Sequence, residues 1–427
     1  MHQTLRVRST PRRIASAIAA LAIGLTARNA HAEFPTLERA IQLAREHAIV
    51  VAEAQGELGV ANAQLRGARV SSLGNPYTEI QIDRPWNQAV EGGMGTEQQS
   101  VQALTFSYFP VDIAGQRGKR IEEAERLIDW RKQGIIGAHA VATGDVVSAY
   151  GEIVVSNARI IETKAGEETA REEAKYFQGR FDAKDTTLYE KSLAEAEVAR
   201  WVQSRAEAEL RLAGSRARFG QLTGQVVVDP PPQNITVMPP SLRGSWDDAQ
   251  MNRIVDKAPI IARLNSEKTY WDSSIERYER EKIPPVSFEI IAGRGANYDF
   301  RLGGGAVITF PITRRYQGEI SRAEVGRNHV LRQLGLYKGI IQTRIRAARD
   351  AITATTKALD ELDKTGIPAL ERAVASSVEA YKAGKVDLTR ALLARRDLAI
   401  ARSRRLDLIE ATWRAYADLV IISGELP

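Results

Sequence analysis

The apolar residues of this chain follow two alternating periods, and the points where the period switches divide it into elements. Residues 36–74 repeat at the 3.6-residue spacing of an amphipathic helix and are rich in Ala, Glu, Leu and Arg. Asn75-Pro76 predicts the end of that helix, because the residue before a proline is driven out of the helical region. From Tyr77 to Asp83 the period drops to two: Thr78, Ile80 and Ile82 fall on one face, Glu79 and Gln81 on the other. A polar, Gly-rich loop over 84–100 leads to a second strand at 102–109, with Leu104, Phe106 and Tyr108 opposite Thr105 and Ser107.

Between Pro110 and Pro230 there is no proline. That stretch predicts two helices of several tens of residues, reversing near Gly179. A helix of about 60 residues is about 90 Å long, and lengths of that order belong to coiled coils and helical tubes rather than to ordinary globular domains. A connector over 225–245 carries Pro230, Pro231, Pro232, Pro239 and Pro240, which forbid regular helix.

The order then restarts. A helix from Trp246 to Lys282 is stopped by Pro284-Pro285, and strands are expected at 286–291 and 305–310 around a Gly-rich loop that includes Gly303, Gly304 and Gly305. Long helices follow to Gly424, interrupted near Pro368 and Gly384. Landmarks recur in order about 200 residues apart. Phe109-Pro110-Val111 answers Phe310-Pro311-Ile312, Tyr176-Phe177-Gln178-Gly179-Arg180 answers Tyr381-Lys382-Ala383-Gly384-Lys385, and Leu222-Thr223-Gly224 answers Ile422-Ser423-Gly424. This is the pattern of an internal duplication, with a first repeat over 33–224 and a second over 246–427. Leu406, Ile409, Trp413, Tyr416 and Val420 form a 3-4-3-4 packing seam, and Trp201, Ala208, Leu212, Phe219 and Leu222 a looser one.

The first 32 residues stand outside this scheme. Basic residues Arg6 to Arg13, an apolar run from Ile14 to Ala27 and the small-x-small sequence Ala30-His31-Ala32 predict a cleaved secretory signal, with the mature chain beginning near Glu33. This changes the charge picture. The net charge of the whole chain is +6, and removing five arginines leaves about +1, which argues against nucleic acid as a partner. There are no cysteines, so disulfides, thiolate metal sites and a cysteine-borne lipid anchor are excluded. After the signal no apolar run is long enough for a spanning helix, so membrane insertion would require a β-barrel. Four strands cannot close one, whereas three chains of four give twelve, an even number of suitable size.

No enzyme, cofactor or metal site is predicted. His47, His139 and His329 are far apart and form no ligand pair, and there is no phosphate-cradling glycine motif. A periplasmic coiled-coil scaffold or adaptor that never enters the membrane is the alternative of a different class.

Two junctions carry a family likeness. Pro110-Val111-Asp112-Ile113-Ala114-Gly115-Gln116-Arg117, followed by Arg120-Ile121, resembles a Pro-x-acid-Leu-Gly-Gly-Lys-Arg strand-to-helix pattern; Pro311-Ile312 with Arg315 and Gln317-Gly318 resembles its counterpart. Ala114 and Gln116 replace the usual Gly and Lys, and Thr313-Arg314 stands where Phe-Asp is frequent. These features resemble the TolC-like outer membrane factors over essentially the whole mature chain, and within them the outer-membrane components of cobalt-zinc-cadmium resistance pumps.

The resemblance implies a mainly α fold with a membrane β-barrel. The chain would form a homotrimer with a twelve-stranded barrel, a long α-helical periplasmic tunnel and an equatorial girdle. It would serve a tripartite RND-type system exporting heavy-metal cations, or drugs or proteins on the same fold. The partners implied are a periplasmic adaptor, an inner-membrane pump and outer-membrane lipid. The resemblance also places the adaptor-docking tip turns at Gly179, Arg180, Phe181, Asp182, Gly384, Lys385, Val386 and Asp387. A periplasmic gate would then fall at Asp185 and Arg390, where a mixed ring of opposite charges could bridge helices and hold the closed state.

Overall fold

The computed structural model describes residues 34–70, 73–83, 102–226, 230–232, 236–240, 248–294, 299–308, 310, 312–313 and 315–425. The expected signal segment and the loop at 84–100 lie outside the described residues.

Helix α1 (Leu37–His47) is capped by the Thr36 hydroxyl, which accepts from the Arg39 amide at 3.3 Å. Helix α2 (Ile49–Ala68) follows after one residue, Ala48, whose extended backbone breaks the single helix expected over 36–74. The same break recurs between α5 (Asp248–Lys257) and α6 (Pro259–Glu281), at Ala258. Both alanines are buried; at Ala258 the following Pro259 drives the backbone out of the helical region, whereas Ala48 has no such neighbour and packs against the body. Helix α2 also stops well before Asn75. The chain there lies alongside the end of the second strand: the Gly74 amide donates to the Pro110 carbonyl at 2.7 Å, and the Arg117 guanidinium donates to the carbonyls of Arg69 and Val70.

The strands β1 (Tyr77–Asp83), β2 (Gln102–Val111), β3 (Val286–Arg294) and β4 (Phe300–Ile308) form one antiparallel sheet in sequence order. Strand β4 begins and ends earlier than the expected 305–310, and Phe310 lies outside it. Gly303, Gly304 and Gly305, expected in a hairpin loop, are inside β4 opposite Ile291, Ile290 and Glu289.

Below the sheet run the long helices α3 (Gln116–Asp182, 67 residues, about 100 Å) and α4 (Leu188–Thr223). Helix α7 (Gln317–Glu361), a π turn (Leu362–Gly366), α8 (Ile367–Lys382) and α9 (Leu388–Ser423) complete the chain. The break expected near Pro368 is a widening instead. Proline cannot donate to the helical ladder and its ring crowds the carbonyl four residues back, and the π turn opens the helix just before it. Helix α2 packs on α3, α3 on α6 and α6 on α7, so the helices continue the order of the strands above them.

The main core lies where α1, α3, α4 and α9 meet, around Phe34, Ile41, Tyr150, Ile153, Phe219, Trp413 and Tyr416. All five residues of the expected α9 seam are buried. Of the α4 seam, Ala208, Leu212 and Phe219 are buried, while Trp201 and Leu222 are half-buried. Gly151 of α3 lets Trp413 approach: a Cβ there would lie 2.4 Å from the indole ring. The connector is pinned to this core, because the Trp413 indole N–H donates to the Val237 carbonyl at 2.7 Å.

Local conformations repeat between the halves. Gly224 and Gly424 are both left-handed C-caps of the helices before them. Gln116 and Gln317 both open a long helix after a left-handed residue, and each side-chain oxygen accepts from the amide two residues back, at 2.8 and 2.9 Å.

Candidate functional site

Two regions present chemistry: the faces of the sheet and the helix reversals at the far end. In the sheet, the pairing register decides which residues share a face. Tyr77 pairs with Tyr108, Glu79 with Phe106 and Gln81 with Leu104. Leu104, Phe106 and Tyr108 therefore share the face of Glu79 and Gln81, not that of Ile80 and Ile82. Hydrophobic pattern within one strand cannot fix its register with another, and here the turn between them is a long loop.

The resulting faces are unlike. One carries Ile80, Ile82, Phe109, Val286, Phe288, Ile290, Ala292, Phe300, Leu302, Ala306 and Ile308, with Thr78, Thr105 and Ser107 among them and Arg294 at one end. Ile80, Ile82, Phe288, Ile290, Phe300, Leu302 and Ile308 are exposed to solvent in the single chain. The other face carries Glu79, Gln81, Asp83, Gln102, Ser287, Glu289 and Arg301, interrupted by Tyr77, Leu104, Phe106, Tyr108 and Ile291 and by a glycine row, Gly293, Gly303 and Gly305. The outer edges of β1 and β4 pair with nothing among the described residues. Four strands with one greasy face, one polar face and two open edges are unstable alone in water.

Where the sheet meets the helices, Gln116 is buried, and its amide donates to the Ile283 carbonyl at 2.9 Å. Arg120 bridges Asp112 and Glu281. The junction sequence is thus a clamp tying β2, α3 and α6 together. The replacement of Lys by Gln at position 116 suits a buried site, because a neutral amide avoids the desolvation of a charge.

At the far end, α3 continues through Gly179 to Asp182, and the first reversal occupies 183–187. The expected turn at Gly179 is corrected by four to eight residues. The left-handed residue of that turn is Lys184 (φ 59), matching Gly384 (φ 67) of the second turn. Phe181-Asp182-Ala183-Lys184-Asp185 is therefore the counterpart of Tyr381-Lys382-Ala383-Gly384-Lys385. The Gly-to-Gly match misled because the first turn uses a lysine where the second uses glycine. A non-glycine residue in this conformation costs roughly 1–2 kcal/mol. Lys184→Gly is expected to raise the local stability of this turn by up to about 1 kcal/mol after the added chain entropy of glycine, seen as slower amide exchange over 183–187. Faster exchange there would argue against strain at Lys184.

Each reversal ends on a capped helix. Thr187 and Glu190 form a reciprocal capping box, and Asp387 accepts from the Arg390 amide at 3.1 Å. Of the expected tip residues, Arg180 does most to join the two reversals. It donates to the Asp185 carboxylate and carbonyl at 2.8 Å each and to the Tyr381 hydroxyl at 3.2 Å. The hydrogen bond to Asp185 holds the Arg180 pKa above its ordinary value. Phe177, Ala194 and Leu388 pack beneath it. Within the chain, Asp185 is thus bound to Arg180 and not to Arg390, whose side chain is exposed. Phe181, Asp182, Lys385, Val386 and Asp387 lie at the surface or partly covered around these turns, with Lys191 over the Phe181 ring at 5.1 Å and Gln178 donating to Asp182.

Among the described residues no helix is long and apolar enough to cross a membrane, and no three His, Asp or Glu side chains are grouped to hold a metal ion.

No known protein-family profile matches the chain. Solved structures share its architecture. The outer membrane channel CmeC of Campylobacter jejuni matches with a TM-score of 0.74 at 15% identity, covering 91% of this chain and 85% of that one. CusC, whose structures concern transmembrane channel formation, matches with a TM-score of 0.71 at 14% identity, covering 91% of each chain. The chain has the fold of the TolC-like outer membrane channels. In sequence it is similar to the cobalt-zinc-cadmium resistance protein CzcC of Cupriavidus metallidurans, 21% identical over 405 residues, 91% of this chain and 90% of that protein. The resemblance read from the junction motifs is borne out by this pair of likenesses.

Proposed function

We propose that the chain is one subunit of an outer-membrane efflux channel, in which three copies close a twelve-stranded barrel continued by a helical tube. The observation that carries this is the sheet: one mainly apolar face, one mainly polar face and two edges unpaired among the described residues, set on helices arranged in the same order. Pairing β4 of one copy with β1 of the next removes every edge and gives lipid an apolar wall. The recurrence of caps and junctions in both halves supports an origin by duplication, which would give such a tube near-sixfold regularity.

The cargo we assign is heavy-metal cation, on the likeness to CzcC. The partners are a periplasmic adaptor docking at the two reversals and an inner-membrane RND-type pump. The mature chain reaches the outer membrane through its N-terminal signal. The testing experiment has two arms. Detergent-purified protein should run as a heat-sensitive trimer and conduct ions in planar bilayers; a water-soluble monomer overturns the reading. Deletion of the gene should sensitise cells to cobalt, zinc or cadmium; sensitisation to drugs alone moves the cargo to the alternative reading.

Asp185 and Arg390 remain our candidates for the gate, now across neighbouring copies, since Asp185 is held by Arg180 within its own. Arg390→Glu is expected to raise the conductance of the resting trimer by adding like charge at the constriction. Unchanged conductance in reconstituted trimers removes Arg390 from the gate.

A further inference from the structure

The polar face of the sheet is not uniformly polar, and its apolar residues are grouped. At one level of the register Glu79, Phe106, Ile291 and Gly303 lie in a row across the four strands. At the next level the row is Tyr77, Tyr108, Glu289 and Gly305. The Tyr77 and Tyr108 rings stack at 4.6 Å, and Tyr108 lies directly across the register from Glu289. Gly303 and Gly305 leave the β4 side of both rows without side chains. A Cβ at Gly305 would lie 3.1 Å from the Glu289 carboxylate, so that carboxylate leans over the bare strand. The outcome is a shallow depression with an aromatic wall and two carboxylates. Arg301, the cation of this face among the described residues of the strands, sits one level beyond it, beside Gly293.

A bare divalent metal ion gains little here, since it holds its water tightly and asks for converging oxygen ligands. Aromatic faces next to carboxylates suit a cation whose charge is spread under an apolar surface, because such an ion is weakly hydrated and is attracted by ring quadrupoles. We infer that the depression formed by Glu79, Phe106, Tyr108, Glu289, Gly303 and Gly305 is a binding station for hydrophobic organic cations of the quaternary ammonium or phosphonium class. It rests on the proposed channel, which turns this face toward the lumen and repeats it in three copies.

The test uses the full-length trimer in planar bilayers, with tetraphenylphosphonium as the probe. The wild-type channel should be blocked by it. Glu289→Gln and Phe106→Ser should each raise the half-blocking concentration by about tenfold, the loss of one such contact. Gly303→Val, which fills the depression and keeps every aromatic and acid, should do the same, and it serves if either other variant fails to assemble. Thr105→Ala, on the opposite face, should leave block unchanged. A conducting wild-type channel that tetraphenylphosphonium does not block, or one blocked equally in the Glu289, Phe106 and Gly303 variants, overturns the station while leaving the channel standing. Absence of any conductance overturns the channel and the station with it.

Discussion

Replacing Trp413 by alanine is expected to destabilise the protein by about 3–5 kcal/mol, the range for deleting a large aromatic from a packed core. Trp413 is only 2% exposed and lies against Gly151 of α3, with the Tyr150 ring 6.0 Å away. Little can move in to fill the space, because α1, α3 and α4 are held by their own contacts in the same cluster. The substitution also strips the Val237 carbonyl of its donor and so frees the proline-rich connector from the body. Thermal unfolding followed by circular dichroism reads the first effect, and protease cutting within 225–245 the second. Trp130→Ala is the comparison: that ring is half-buried under the Arg131 guanidinium at 4.2 Å and should cost distinctly less. Equal losses at the two positions would show that Trp413 is not the centre of the core.

Ile290→Lys is expected to abolish insertion into the outer membrane. Ile290 lies midway along β3 on the apolar face, and a lysine facing lipid at the midplane of a barrel costs about 2–4 kcal/mol per copy. In the proposed trimer three copies would multiply that cost. Gln81→Lys, on the opposite face of the sheet, should insert normally, since its side chain would meet water. Membrane fractionation together with heat-dependent migration of the trimer distinguishes the two. If both variants insert alike, the assignment of faces is wrong.

The helices and seams were legible because they depend on local composition and period. A proline-free stretch between Pro110 and Pro230, or Leu406, Ile409, Trp413, Tyr416 and Val420 in one line, leaves few alternatives. The bounds of β1 were legible for the same reason. What was not legible depends on distant partners. Ala48 carries no breaking signal of its own and is buried against the body, whereas the break at Ala258 was legible in the Pro259 that follows it. The early start of β4 follows from pairing with β3 and not from its glycine-rich sequence. Among the candidate tip residues, Gly384 was found by its residue type. The first turn was misplaced because Lys184 adopts a conformation usually left to glycine. Arg180 was named for its position, but its reach to Tyr381 some 200 residues away had no signal in the sequence.

The π turn at Leu362–Gly366 has a consequence for the phase of the hairpin built after it. On α7 the residues turned inward are Ile341, Ile345, Ala348, Ile352, Thr355 and Leu359, at steps of four and three. Beyond the wide turn the covered positions include Leu370, Val374, Ser377 and Tyr381, one residue later than a plain continuation would put them. One additional residue rotates everything downstream by about 100° in an α-helix, enough to swing Tyr381 off its neighbours. The wide turn absorbs that rotation. Excising a residue from it would restore an even helical ladder but force the Pro368 ring against a carbonyl, so the inserted residue and the proline keep each other in place.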